Sequence, residues 1–405
     1  MERERRTLFL VTAVHGIVHA QMTLFPGVLV LMAADLRLDP AGMGVLGTAS
    51  FFAFGLGAVP AGALADALGP RRLIRALLAG ATVSALLVAW APGVATLGAG
   101  LFLLGLSNSL YHPAGLGLVS RASGRGRAFA VHGFGGSTGE AIAPLLGAAV
   151  AWIFGSWRAA YLVAAAASAA MLVLFVLLEK PRSVPGRRPP ESPPPAEDGT
   201  RTRILPLAVA LAMLTVMGFL YRGTITFLPK HLGELWGSTD PGLASLAGGA
   251  VATLTLLLGI AGQYLGGMVL YHRFRLEPLY AALLVPCAGG TLLLAFGGPW
   301  LALVGAGMFA FFFFAEQPIG NGLVADYTSP RRRSAGYGLH FALAFGVGAL
   351  GAAAAGWSTA RHGAGSAFLL MSAAGALALL LALLLRLAAR RGPAGVPPDS
   401  ARSGP

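Results

Sequence analysis

The stretch GALADALGPRRL, residues 62–73, places one aspartate and two arginines between two long apolar runs. The chain around it is 56% hydrophobic and only 11% charged, and its mean hydropathy is +0.72. These values are typical of membrane proteins rather than of soluble domains. A bilayer core about 30 Å thick needs roughly 20 apolar residues per helical span. We therefore interpret residues 62–73 as a charged turn between two membrane spans.

The sequence contains twelve apolar runs of the length that a span needs. We expect them to be helices, because lipid offers no hydrogen-bond partner to backbone amides. The first run follows several arginines, as in a signal peptide, but it is too long and lacks a small-residue cleavage site, so we keep it as a span. The predicted spans are 8–32, 43–64, 73–91, 94–119, 128–153, 159–178, 204–228, 243–270, 278–296, 300–325, 334–357 and 364–387.

The distribution of basic residues predicts the orientation of the spans. With the N-terminus inside, 24 of the 29 Lys and Arg residues lie on the cytoplasmic side, four lie outside, and Arg222 lies within a span. Basic residues beside short loops stay cytoplasmic, so we predict a multi-pass protein of the inner (cytoplasmic) membrane with both termini inside. The net charge of +13 then reflects topology and not a nucleic-acid partner. The lone Cys287 excludes a disulfide framework within the chain.

A proline-rich segment divides the spans into two sets of six. Residues 179–203 include seven prolines among 25 residues, which is typical of an extended cytoplasmic linker. The halves, 1–178 and 204–388, share a repeat, since HPAGLGLV at 112–119 matches QPIGNGLV at 317–324, and residues 389–405 form a predicted disordered tail. Two parallel halves related by an axis along the membrane normal are a transporter design, with the substrate site between them near the midplane.

The charged turn resembles the loop signature of the major facilitator superfamily between its second and third helices. The resemblance implies the twelve-helix fold of that family. It also implies a conformational latch, in which the aspartate pairs with basic residues when the cytoplasmic side is closed. The sequence departs from the pattern at Ala67, where the family usually carries Arg or Lys. The alternative is a plain positive-inside turn. The residues of the predicted latch are Gly62, Asp66, Gly69, Arg71 and Arg72.

Two more stretches resemble branches of the same family. GEAIAPLLGA at 139–148 is similar to the antiporter signature Gly-x-x-x-Gly-Pro-x-x-Gly-Gly, with alanine at 143 and 148 in place of two glycines. The resemblance implies export, and the alternative is ordinary packing of small residues. YHPAG at 111–115, followed by 121–139, resembles the fosmidomycin-resistance, drug-efflux branch. The antiporter-like motif comprises Gly139, Ala143, Pro144 and Gly147.

Polar side chains within the spans are the candidates for substrate binding, because they are costly in lipid and usually serve a pathway or a partner. The seven candidates are His15, His19, Asn108, His112, Arg222, Gln317 and Asn321. Arg222 either faces the central cavity, where it would favour anionic substrates, or extends along its stem to the outer surface. His132 and His340 serve either function or interhelical hydrogen bonding.

Three residues are candidates for proton coupling, namely Glu140, Glu316 and His19. Glu140 lies about 12 Å deeper than His132 along its helix, near the midplane. A carboxyl group there is stable when protonated and costly when ionised, which suits a proton carrier. The sequence thus predicts a proton-coupled exporter of small organic molecules that acts as a monomer by alternating access.

Other functions are less favoured by the residues. The sequence has no nucleotide-binding pattern, and its one Gly-x-Ser-x-Gly match, residues 135–139, lies inside a predicted membrane span and not on a strand-to-helix turn, so we predict neither an enzyme, nor a cofactor, nor ATP coupling. We assign no metal ligands, although a divalent-metal transporter that uses His15, His19 and His112 remains an alternative. An importer of organic anions or sugars, driven by protons, is the other alternative.

Overall fold

The computed structural model describes residues 2–119, 125–179, 202–236, 240–329 and 332–390. All regular structure in these ranges is helical. We number twelve long helical segments in chain order, and we join consecutive pieces that continue one another. They are α1 (Glu2–Leu36), α2 (Pro40–Leu68), α3 (Pro70–Ala89), α4 (Val94–Val119), α5 (Arg125–Ile153), α6 (Trp157–Leu178), α7 (Ile204–Leu235), α8 (Pro241–Arg273), α9 (Leu276–Phe296), α10 (Pro299–Tyr327), α11 (Ala335–His362) and α12 (Ala364–Arg390).

Eleven of the described helices are long and apolar enough to cross a membrane. The exception is α5, which has 29 residues and therefore has the necessary length. It begins with basic residues and carries His132 and Glu140, which lower its hydropathy. The prediction of helical spans is thus confirmed for eleven segments, and the membrane crossing of α5 stays a prediction.

Local signals in the sequence explain where several helices begin and end. The Asp39 carboxylate accepts a hydrogen bond of 2.8 Å from the Gly42 amide at the start of α2, and Asp240 caps α8 in the same way, also at 2.8 Å. Both helices have proline in their first turn, where its missing N–H costs nothing. Gly69 separates α2 from α3 and has a φ of +82°, a conformation that glycine adopts readily and other residues adopt rarely.

Three helices depart from regular α geometry. α4 is interrupted at Leu110, between Val94–Ser109 and Tyr111–Val119. α8 and α11 each contain a π-helical stretch, Leu265–Leu270 and Ala342–Val347. A π-helical turn contains one more residue than an α-helical turn between its hydrogen-bonded groups, and such turns are frequent at functional sites. The stretch in α11 lies at the cavity described below.

Small residues allow the close packing of the helices. An added Cβ atom at Gly139 of α5 would lie 2.1 Å from the Gly16 carbonyl oxygen of α1. An added Cβ atom at Gly44 of α2 would lie 2.4 Å from the Ala352 oxygen of α11. The first six and last six helices meet mainly through α2 with α11 and α5 with α8. Helices in lipid associate with little hydrophobic driving force, and the van der Waals contacts between closely packed backbones stabilise the association instead.

The connections between helices alternate between two ends of the molecule. At one end, which we call the basic end, α1 begins and Gly69 and residues 274–275 connect helices. At the other, which we call the far end, residues 37–39 and 90–93 connect helices. Contacts between the first and last six helices extend to the far end, where the Ser245 hydroxyl donates a 2.7 Å hydrogen bond to the Gly27 oxygen.

The predicted linker and tail fall largely outside the described residues. This applies to 180–201 of the linker and to 391–405 of the tail. Glu179 is described, and its placement differs from the prediction of a solvated linker residue. It follows α6 directly and is only 1% exposed, because basic side chains of α3 surround it. The division of the chain into two halves stays a prediction.

Candidate functional site

A cavity of about 150 Å³ lies among α1, α5, α7, α10 and α11. Its walls combine ionisable groups with aromatic rings, which is the usual make-up of a small-molecule site. The lining residues are His19, Glu140, Leu214, Met217, Gly218, Tyr221, Arg222, Phe313, Glu316, Gln317, Asn321, His340, Phe341, Ala344 and Phe345.

A larger cavity, of about 450 Å³, lies among α1, α5 and α6. Its walls are almost wholly apolar, and its polar side chains are Gln21, Thr12 and Thr138. It contains no ionisable residue and offers little to orient a polar molecule. We therefore place the candidate site in the smaller cavity, where the charged side chains converge.

Glu140 joins the first six helices to α7. Its side chain is buried in α5, and the Tyr221 hydroxyl of α7 donates a 2.6 Å hydrogen bond to its Oε1 atom. The Nδ1 atom of His19 in α1 lies 3.4 Å from the other oxygen, Oε2. Two polar partners on two other helices thus hold the carboxyl group that the sequence predicted for proton coupling.

Arg222 lies in the wall of the cavity, although its residue is only 3% exposed. Its guanidinium carbon lies 3.4 Å from the centre of the Phe51 ring, 4.7 Å from that of Tyr221 and 5.3 Å from that of Phe345. Aromatic faces attract a cation at such distances. The Nη1 atom has no hydrogen-bond partner among the described residues. The structure therefore favours the cavity-facing interpretation of Arg222, with a free donor for an anion.

α10 supplies a row of polar side chains to the same cavity. Glu316 is 3% exposed, and its Oε2 atom has no hydrogen-bond partner within the described chain. The Ser137 hydroxyl of α5 donates to the Gln263 Oε1 atom at 2.9 Å, and the Gln263 amide donates to Gln317 Oε1 at 3.4 Å. Two further polar atoms of the cavity wall lack partners in the described residues, Asn321 Oδ1 and His340 Nδ1.

Four histidines, namely His15, His19, His112 and His132, form a cluster of which His19 is the member in the cavity wall. His15 is 7% exposed, and its Nδ1 atom lies 2.8 Å from the His132 carbonyl oxygen. His132 in turn contacts the Tyr111 hydroxyl at 2.9 Å through Nε2. The nitrogen atoms of His15, His19 and His112 lie within 4.8 Å of one another, a spacing that suits a shared metal ion. Of these residues only His19 lines the cavity, and His15 and His112 lie next to it.

Asn108 does not reach the cavity. It is fully buried, and its amide donates a 3.2 Å hydrogen bond to Gln21 Oε1. The Gln21 amide donates to the Ser168 hydroxyl at 2.6 Å. These hydrogen bonds link α1, α4 and α6, although the Asn108 Oδ1 atom has no partner in the described residues. The position of Asn108 away from the cavity supports a structural role more than the predicted contact with substrate.

The predicted latch is not formed around Asp66 in this conformation. Asp66 is exposed, and it has no ion pair within the described chain, as is also true of Arg72. Arg71 instead contacts Glu179, with Nε and Oε2 2.7 Å apart, and the Arg75 Nη2 atom donates to the Glu179 carbonyl oxygen at 2.6 Å. Gly62 faces open space. The latch role of these residues stays a prediction for another conformation.

The antiporter-like motif packs α5 closely against α1. Gly139 faces the backbone of α1, Gly147 faces Leu24, and Ala143 is fully buried. An added Cβ atom at Gly27 would lie 2.3 Å from the Pro144 oxygen. These positions have no room for larger side chains, whichever direction the protein transports.

Three residues were not predicted from the sequence: Tyr221 and Gln263, which hold side chains of the cavity wall, and Glu179, which binds Arg71 of the predicted latch. Gln263 is a polar residue inside the predicted span 243–270, and that position is a signal visible in the sequence. Tyr221 directly precedes Arg222, but nothing in a single sequence indicates a contact with Glu140, 81 residues away. Glu179 follows the sixth apolar run directly, so the sequence places it at the end of a helix. Its polar and proline-rich neighbours led to its assignment to the linker.

Known structures share this fold. A bacterial homolog of the human lysosomal transporter Spinster, in an inward-facing and unoccupied conformation, superposes with a TM-score of 0.75. The sequences are 15% identical, and the match covers 96% of this chain and 97% of the other. The nucleoside transporter NupG gives a TM-score of 0.69 at 17% identity, over 93% and 99% of the two chains. At such identities the likeness concerns the fold alone.

Sequence relatives include an uncharacterized MFS-type transporter, YfnC, of Bacillus subtilis, which is 24% identical over 66% of this chain and 66% of its own length. A triacylglyceride transporter of Mycobacteroides abscessus is 27% identical over 58% of this chain and 42% of its own. Both matches span less than two thirds of the relatives' length, and the fosmidomycin-resistance branch stays a prediction. The sequence pattern of the Major Facilitator Superfamily matches residues 11–315, three quarters of the chain. The chain therefore belongs to the major facilitator superfamily.

Proposed function

We propose that this membrane transporter is a proton-coupled secondary active exporter of small organic molecules. The observation that carries the proposal is the convergence of Glu140, Glu316 and Arg222 in one cavity between membrane helices. Ionisable residues in such positions are costly and are usually retained for a transport pathway. The two six-helix halves, 1–178 and 204–388, rock about this cavity in each monomer, which sits in the inner membrane with both termini in the cytoplasm.

The inward-facing state is the conformation that we assign to the structure. Contacts between the first and last six helices extend to the far end, as between Ser245 and Gly27. Asp66 and Arg72 are exposed at the basic end. The excess of basic residues there indicates the cytoplasmic side. In the outward-facing state, Asp66, Arg71 and Arg72 close that side as the latch.

Arg222 selects the substrate in this proposal. Its free Nη1 donor lies among aromatic rings, which suits an anionic group attached to a flat or apolar body. His19, Gln317 and Asn321 provide the other polar contacts of the cavity. His15, His112 and Asn108 support this wall from behind and do not touch the substrate in the inward-facing state.

Glu140 carries the proton. Its partner His19 belongs to the first six helices and its partner Tyr221 to the last six, so rocking of the halves separates Glu140 from Tyr221. The carboxylate then loses a hydrogen bond, which favours its protonated form. Glu316 is the rival carrier, since it lines the same cavity with an oxygen that has no partner in the described residues. The antiporter-like motif around Glu140 supports exchange of substrate for protons.

Flux in proteoliposomes tests the direction and the coupling. The panel consists of carboxylates, amides and amines with matched carbon skeletons, and the lumen is made acidic or equal in pH to the outside. An exporter that exchanges protons accumulates its substrate in the acidic lumen, whatever its orientation in the vesicle. Protein-free liposomes correct for passive trapping of the amines. Flux that ignores the gradient, or accumulation on the alkaline side as in symport, contradicts the proposal.

A further inference from the structure

The histidine cluster has two fully buried nitrogen atoms that the described residues leave without a partner. They are the Nε2 atoms of His15 and His19, both shielded from solvent. The two rings lie 4.7 Å apart, and His112 lies 5.4 Å from the first and 5.6 Å from the second. Buried polar atoms are nearly always paired, so two free nitrogens side by side indicate a ligand.

Hydrogen bonds fix which nitrogen of His15 carries the proton. A carbonyl oxygen can only accept, so Nδ1 of His15, 2.8 Å from the His132 oxygen, must donate. The proton therefore lies on Nδ1, and the free Nε2 atom presents a lone pair. A backbone carbonyl behind one ring nitrogen is the usual arrangement that orients a metal-binding histidine.

His19 has the same arrangement with a carboxylate in place of the carbonyl. Its Nδ1 atom faces Glu140 Oε2 at 3.4 Å, and its Nε2 atom is free. A carboxylate behind a histidine ligand raises the basicity of the ligand and offsets the charge of a bound cation. The side chain of His19 is 21% exposed and lies in the cavity wall, which gives an ion a route from the cavity.

We propose that His15, His19 and His112 bind a first-row transition-metal dication, of which Zn²⁺ is the representative. The three ligand nitrogens lie within 4.8 Å of one another. Small ring rotations place each nitrogen roughly 2.1 Å from one shared ion, which is the length of a Zn–N bond. The His112 ring packs against Phe54 and Phe341, with ring centres 5.7 Å and 6.1 Å away, and it has no hydrogen bond to a described residue that a metal ion would have to break. Water from the cavity supplies the fourth ligand.

His132 supports the site without binding the metal. Its Nε2 atom lies 2.9 Å from the Tyr111 hydroxyl, which itself donates to the Val11 oxygen at 2.5 Å. Its ring stacks on His15 with centres 4.1 Å apart. Of the charged groups near the cluster, Glu140 contacts it through His19, and Arg222 and Glu316 line the same cavity. This proposal requires no change of protonation and does not depend on the proposed exporter function.

Zn²⁺ titration of the full chain tests the site. The protein is purified without a polyhistidine tag, and binding is measured calorimetrically at one fixed pH. The wild type is expected to bind one equivalent. His19→Gln and His112→Gln should each raise the Kd at least about tenfold. His231→Gln is the matched control, because His231 is also buried but bonds to the Leu294 oxygen, far along the chain from the cluster.

Co²⁺ provides a second readout that needs no variant. Bound at this site, it should show the intense visible absorption of a four-coordinate centre with nitrogen ligands, and Zn²⁺ should displace it. The proposal is overturned if the wild type shows neither saturable Zn²⁺ binding nor such a spectrum. It is also overturned if His112→Gln, folded as judged by size-exclusion chromatography, binds Zn²⁺ with the wild-type Kd.

Discussion

Replacement of Arg222 by glutamine removes the cation from the cavity wall and leaves a shorter, uncharged side chain that can still donate hydrogen bonds. In the structure the guanidinium lies over the Phe51 ring at 3.4 Å and leaves Nη1 without a partner among the described residues. An anionic substrate that enters the cavity therefore gains a charge-assisted hydrogen bond in a site shielded from water. The amide of glutamine donates a weaker, uncharged bond.

The expected loss follows from that one bond. Hydrogen bonds to charged groups contribute about 1.5–3 kcal/mol. At 1.4 kcal/mol per tenfold change, Arg222→Gln should raise the Kd of the carboxylate compound by about 10- to 150-fold. The matched neutral amide should lose much less, and the matched amine should bind equally well or more tightly, because a like charge has been removed.

Binding of the three matched compounds is measured on the purified protein by isothermal titration calorimetry. Arg361→Gln is the control, since Arg361 also stacks on an aromatic ring, 4.3 Å from the centre of Trp357, but is exposed at the end of α11. It should change no Kd by more than about threefold, as expected for a surface substitution. Equal losses for carboxylate and amine, or no loss, would refute the role of Arg222 in anion selection.

Three further substitutions test the packing and the latch. Glu179→Gln should lower the melting temperature, because Arg71 loses a charged partner worth about 1.5–3 kcal/mol; unchanged thermal unfolding would contradict that role. Asp66→Asn should shift spin-label distances between the halves towards the inward-facing state with normal expression, and an unchanged distribution removes the latch. Gly27→Ala should destabilise the protein by about 1–3 kcal/mol, since its Cβ atom meets backbone at 2.3 Å, whereas Gly133→Ala, in open space, should be neutral.

The helical spans were predictable because apolar length is a local property. Their ends were not, since helices continue past the lipid boundary once backbone hydrogen bonds are available. α1 begins at Glu2 although the apolar run begins at residue 8. α7 continues through Pro229 to Leu235, beyond the predicted end at 228. A proline inside such a helix costs one backbone bond, which neighbouring helices compensate.

The ionisable members of the site were predictable for a related reason. A charged residue within an apolar run is costly in lipid and is usually retained for a pathway or a partner. Three residues meet this description: Glu140, Glu316 and Arg222. Their partners do not stand out. Tyr221 and Phe51 are ordinary residues of membrane helices, and only the packing of α2, α5 and α7 brings them to the charged groups. A single sequence holds no record of contacts between helices so far apart along the chain.

The most direct test of the account is uphill accumulation by Glu140→Gln in proteoliposomes with an acidic lumen. The substrate is the panel compound that the wild type accumulates most, and one-for-one exchange at equal pH is measured in the same preparation. Glutamine keeps the size of the side chain and can still bond to Tyr221, but it cannot carry a proton. We expect accumulation to disappear while exchange persists, with Glu316→Gln still accumulating substrate. Accumulation by Glu140→Gln at the wild-type level would contradict proton coupling through this residue.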